Sequence, residues 1–175
     1  ERAGMSRKIF VIGDSRTGRT KLDEFLKRAG FKSIHYFFKE SGVAEPAHKD
    51  YHTNWVKLKN FIDTSGFDAF SDYPLRTFYK ELFTHYPDAV FILTTRKDVE
   101  TWRRSMEEFF AKFQIDLNID KLADSYTRLN EEIRTLAKEN NTIFCDVNID
   151  DDSDENGRVL SMTLGLPEPL SLGWE

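Results

Sequence analysis

The feature that most constrains this chain lies near its start. Lys8 to Ile12 (KIFVI) is a short apolar, β-branched run, the pattern of a strand buried on both faces. Gly13 to Gly18 (GDSRTG) follows, small and polar. From Thr20 to Arg28, Leu22, Phe25 and Leu26 recur at helical spacing until Ala29-Gly30. The loop between strand and helix has the spacing of a phosphate-binding loop, G-x-x-x-x-G-K-S/T, with Arg19 where the lysine stands. Small residues let the backbone curl so that successive N–H groups point inward. The helix behind adds unpaired N–H groups and the positive end of its dipole. Candidate anion contacts are Ser15, Arg16, Thr17, Gly18, Arg19 and Thr20. Arginine is planar and bulkier than lysine, so the loop is expected to hold phosphate without hydrolysing a triphosphate.

Downstream, strand and helix patterns alternate. Ser33 to Phe38 (SIHYFF) suits a second strand, and Trp55, Leu58, Phe61 and Ile62 mark one face of a helix ending at Gly66. Phe67 to Ser71 reads as a strand, and Pro74 as the start of a helix running through His85. Ala89 to Thr95 (AVFILTT) is the strongest buried strand. Helices are expected over Val99 to Phe113 and Ile119 to Asn140, a strand over Thr142 to Val147, and a short helix over Arg158 to Leu164. The acidic run Asp150 to Glu155 reads as a solvated loop. This alternation predicts an α/β fold, a three-layer sandwich around a mostly parallel sheet.

Composition narrows the class of function. The net charge of −5 argues against a bulk grip on nucleic acid, while leaving room for a local basic pocket. Cys145 is the only cysteine, which excludes an intramolecular disulfide and a thiol zinc cluster. No apolar run approaches the ~18–20 residues of a membrane span. Glu1 to Gly4 read as an addition ahead of a start at Met5, leaving residues 5–175 as one domain, expected to be cytoplasmic. His35, His48, His52 and His85 are scattered; the i, i+4 pair His48/His52 has no third ligand, so no metal site is expected.

At this point the residues resemble a family. Ile9 to Leu22 (IFVIGDSRTGRTKL) is similar to the 5′-phosphosulfate loop of sulfotransferases, with matches at Gly13, Arg16, Thr17, Gly18, Thr20 and Leu22 and departures at Ser15 and Arg19. Phe67 to Pro74 (FDAFSDYP), Tyr79 to Arg96, Trp102 to Ser105 (WRRS) and Leu160 to Pro169 (LSMTLGLPEP) resemble later segments of small soluble sulfotransferases in the same order. Glu40 to Ser65 is poorly matched.

The resemblance implies a donor, 3′-phosphoadenosine 5′-phosphosulfate (PAPS), leaving as adenosine 3′,5′-bisphosphate (PAP), and a small-molecule acceptor with a hydroxyl or amine. It implies no need for a metal, and the net charge and the lack of a membrane-length apolar run leave neither nucleic acid nor membrane as an expected partner. Arg16 aligns with the basic residue at the bridging oxygen, where charge builds as the bond breaks. Arg96 and a serine on the next helix would grip the 3′-phosphate. The family serine commonly stands eight residues beyond the arginine; here Arg104 holds that place and Ser105 is the ninth, and one inserted residue turns a helix by about 100°. Asp72 matches the general-base position, and before Tyr73-Pro74 it equally suits a helix N-cap. His35 and aromatic residues including Tyr36, Phe37, Phe38, Tyr51, Trp55, Phe109, Phe110 and Phe113 are candidates for an acceptor pocket or for the core. Two other readings stay open. One is a P-loop kinase or nucleotide triphosphatase, with Thr20 and Asp72 on magnesium. The other is a non-catalytic nucleotide-binding domain on the same scaffold.

Overall fold

The computed structural model describes residues 7–35 and 52–173. Along them run β1 (Ile9–Val11), α1 (Arg19–Arg28), β2 (Ser33–His35), α2 (Trp55–Thr64), β3 (Ala69–Ser71) and α3 (Tyr79–His85), then β4 (Val90–Thr95), α4 (Val99–Ala111), α5 (Ile119–Glu139), β5 (Ile143–Asn148) and α6 (Ser153–Thr163). The strands form one sheet in the order β2-β3-β1-β4-β5, and every pairing is parallel. A parallel sheet needs cover on both faces, and alternate side chains supply the contacts. Phe10 and Ile12 join Phe70, Phe91 and Leu93 on one face, covered by α2, α3 and α5. Ile9 and Val11 join Val90, Ile92 and Val147 on the other, where α1 and α6 pack. The result is the expected three-layer α/β sandwich.

With all strands parallel, their carboxyl ends share one edge. β1 stands at the centre, and the chain leaves it toward β2 on one side and later returns to β4 on the other. Ligands of open α/β sheets bind in the crevice at such a switch point, and here the Gly13–Gly18 loop occupies it.

Two elements begin elsewhere than the sequence predicts. The Pro74 helix starts at Tyr79, because the Thr77 N–H reaches Pro74 O at 3.0 Å and the Phe78 N–H reaches Leu75 O at 3.1 Å, three-residue turns rather than α-helical ones. This turn carries Arg76 inward, to 6% exposure. The acidic run is no simple loop: α6 starts at Ser153, the Asp152 carboxylate accepts the Glu155 N–H, and Asp154 and Glu155 fill the first turn, where the helix dipole favours negative charge. Tyr36 to Phe38, His48 and Tyr51 lie outside the described residues.

Candidate active site

The loop after β1 is held from below and from the side. Gly13 passes so close to β4 that a Cβ there would stand 1.8 Å from Thr94 Oγ1, so only glycine fits. Arg16 and Gly18 have φ of 60° and 83°, the left-handed conformations that curl the loop. The Thr17 side chain is fully buried, and its hydroxyl donates to Asp14 O at 2.5 Å and meets Thr94 Oγ1 at 2.7 Å. Thr17, one of the expected anion contacts, thus directs its hydroxyl beneath the loop, toward Asp14 and Thr94. The Trp102 indole N–H donates to Ser15 O at 2.9 Å. Trp102 in turn stacks on Tyr126 with centroids 4.5 Å apart, and the Tyr126 hydroxyl accepts the Arg96 N–H at 3.0 Å.

The start of α1 is electrostatically open. α2, α4, α5 and α6 are capped by the side chains of Asn54, Asp98, Asn118 and Asp152. At α1 the N-cap is Gly18, no side chain caps it, and its first turn holds no acid. Its unpaired N–H groups and positive dipole end suit an anionic ligand.

A cavity of about 790 Å³ opens over this loop and the adjoining strand ends. Of the predicted residues, Ser15, Arg16, Gly18, Arg19, Thr20, Asp72 and Arg96 line it. Arg16 lies over the Phe109 ring at 4.7 Å and donates through Nε to Ser105 Oγ at 3.1 Å. Ser105 is thus the α4 residue that meets the loop, through Arg16, whereas Arg104 is exposed; neither is among the residues lining the cavity.

Carboxylates hold two of the cavity's cations. Arg19 Nη2 lies 3.2 Å from Asp72 Oδ1, and His35 Nε2 lies 3.5 Å from Asp72 Oδ2. The other imidazole nitrogen, Nδ1, is 2.9 Å from Ser71 Oγ. Asp72 caps no helix, since α3 begins seven residues later. On the other wall, Arg96 Nε and Nη2 donate to Asp150 Oδ2 and Oδ1 at 3.0 and 3.3 Å, and Arg96 Nη1 donates to Arg16 O at 3.1 Å. Burial alone would raise the Asp150 pKa, but its bonds from Arg96 and the Lys97 N–H hold the carboxyl below its ordinary value.

Asp150 and Arg76 are two of the site residues that sequence reasoning missed. Arg76 lies beneath the loop, donating to the carbonyls of Ile12 and Tyr126 at 3.2 Å each, with Nε 3.4 Å from Asp14 Oδ2. Burial pulls its pKa down and the nearby Asp14 charge opposes that. Both had a readable signal. Asp150 lies two residues beyond the end of β5, much as Arg96 and Asp72 follow β4 and β3, and Arg76 is a lone cation among apolar residues.

The family model for the sulfotransferase domain matches residues 8–161. The chain belongs to the sulfotransferase family. The match takes in all five strands and every residue of this cavity. Comparison with individual curated proteins returned no match. Among the described residues of this sulfotransferase, no group of three or more His, Cys, Asp or Glu side chains is arranged to hold a metal ion, and no helix is long and apolar enough to cross a membrane.

Proposed function

We propose that this sulfotransferase moves a sulfuryl group from PAPS to a hydroxyl or amine of a small-molecule acceptor. The observation that carries the donor assignment is the pairing of two cation sites at different strand ends, Arg16 with Arg19 on the loop and Arg96 beyond β4, in one cavity with the uncapped start of α1. PAPS has anionic groups at both the 5′ and 3′ positions of its ribose, which such a pair suits. The donor supplies an activated sulfuryl group and leaves as PAP.

In this reading the loop N–H groups, Ser15, Gly18 and Thr20 hold the 5′-phosphosulfate. Arg16 faces the oxygen that accumulates charge as the sulfate–phosphate bond breaks. A guanidinium stays protonated, so Arg16 acts by fixed charge, stabilising the transition state more than the ground state. Ser105 and Arg96 take the 3′-phosphate. Asp72 accepts the acceptor's proton as the new bond to sulfur forms. Phe109 and Phe110, on the cavity wall, offer the acceptor an apolar surface.

Calorimetry tests the donor. PAP is expected to bind more tightly than ADP or ATP, without magnesium. Tighter binding of ATP with magnesium would replace this reading with that of a kinase.

A further inference from the structure

Among the described residues, the arginines and lysine lining the cavity are Arg16, Arg19, Lys21 and Arg96, and the carboxylates are Asp72 and Asp150. The two acids are not spread among the cations. Each is placed against one of them: Asp72 on Arg19, on the loop side, and Asp150 on Arg96, on the far side. Both pairs are sheltered, with side-chain exposures of 11% and 14% for Arg19 and Asp72, and 17% and 24% for Arg96 and Asp150. Ion pairs in this setting are weakly screened, and bidentate Arg–carboxylate contacts are among the strong ones. Asp150 takes the Nε–Nη2 edge of Arg96, an edge that matches phosphate in the same fork geometry. A phosphate on another edge of that guanidinium would stand within a few ångströms of the carboxylate and be repelled by it.

We propose that Asp150 and Asp72 are internal competitors of the donor's anionic groups, so that binding is an exchange of partners: the 3′-phosphate displaces Asp150 from Arg96, and the 5′-phosphosulfate displaces Asp72 from Arg19. This rests on the donor reading above and adds two consequences. Asp150 holds down affinity for any ligand with a 3′-phosphate, PAP included, which favours release of the product. Asp72 is released from Arg19 when the 5′ group arrives, which opens that side of its carboxylate to the acceptor hydroxyl. Its use as a base is thereby tied to the donor being in place.

The experiment compares PAP with adenosine 5′-monophosphate, which lacks the 3′-phosphate, on the full chain by calorimetry. Asp150→Asn keeps an oxygen for the Lys97 N–H and removes the charge. It is expected to tighten PAP by about threefold to thirtyfold, the effect of one partly buried charge-assisted pair, and to leave the monophosphate within about twofold. Asp72→Asn is expected to tighten both ligands. Asp151→Asn, an exposed acid one residue on, is the control for long-range charge and should move neither beyond about twofold. Should Asp150→Asn fail to fold, Asp150→Ser keeps a hydroxyl acceptor and carries the same expectation. If Asp150→Asn weakens PAP, Asp150 is a support for Arg96 and the exchange is wrong. Equal tightening of both ligands, or no change in either, also overturns it, while wild-type preference for PAP would leave the donor reading standing. A wild-type protein that prefers ATP with magnesium overturns both.

Discussion

Asp72 follows β3 with φ of 81°, in the left-handed region that asparagine tolerates as well as aspartate. Its Oδ1 accepts the Tyr73 N–H at 2.7 Å, a bond that an amide oxygen can keep. Asp72→Asn therefore retains the turn while removing the charge that faces Arg19 and His35 and, with it, the proposed proton acceptor. Turnover, measured as transfer from labelled donor to an acceptor found by screening, is expected to fall ~10²–10⁴-fold with the unfolding midpoint nearly unchanged. Near-wild-type turnover would move the proton to His35, the neighbouring imidazole. Residue types near the loop were legible in the sequence, but their directions were not. Thr17 turns under the loop because Thr94 waits there, 77 positions away in the chain. Choosing between Arg104 and Ser105 required the rotation of α4, which the turn before it sets. Asp150 lies 54 residues from Arg96 inside an acidic run, so its charge looked solvated until β4 and β5 were seen to be neighbours.

At the scale of elements, the strand–loop–helix unit was the most legible part, because its signals are local: a buried strand, small residues at the turn and an amphipathic helix. What the sequence hid is how tightly the loop is seated on β4. Gly13→Ala would drive a methyl into Thr94, whose side chain is fully buried and already bonded to Thr17. We expect a loss of about 1–3 kcal/mol or more in chemical denaturation, as for other overpacked sites, together with weaker PAP binding as the loop shifts. Gly165→Ala is the comparison. Its φ is also left-handed at 69°, but an added Cβ meets nothing within 4 Å. It should show only the backbone cost of about 1–2 kcal/mol and leave ligand affinity alone. If both glycines lower PAP affinity alike, the close approach at Gly13 does not shape the site. The misplaced starts of α3 and α6 have separate causes. Proline reads as a helix start whether or not the next residues continue one. At α6 the cap, Asp152, was present in the sequence but lost among its acidic neighbours.

For the whole molecule, carboxylates and tyrosines set the pH limits. Burial opposes ionisation of Asp63 and Asp150, yet Lys59 and Tyr86 at the first, and Arg96 and Lys97 at the second, hold both below the ordinary 3.8. In acid the unfolded chain then binds protons that the folded chain does not, so stability is full above about pH 5 and declines as pH falls through 4 toward their folded values. Burial and the Glu132 carboxylate push Tyr79 up to about 12, and burial with Asp63 pushes Tyr86 up as well. Stability from these tyrosines is present below the ordinary value of 10.0 and is lost as pH rises through their folded values. Thermal midpoints from pH 3 to 11 should form a plateau that declines at both ends; a midpoint unchanged between pH 5 and 3 would contradict the acid limb. The stacked pair of Trp102 and Tyr126 has a consequence at this same scale. One ring holds the loop through Ser15 and the other holds the end of β4 through Arg96, so the stacked pair braces the two walls of the cavity, together with the direct contact of Arg96 with the Arg16 carbonyl. On the proposed donor reading, that brace acts as a gauge for length, and a ligand whose charges match its span is expected to engage both walls at once.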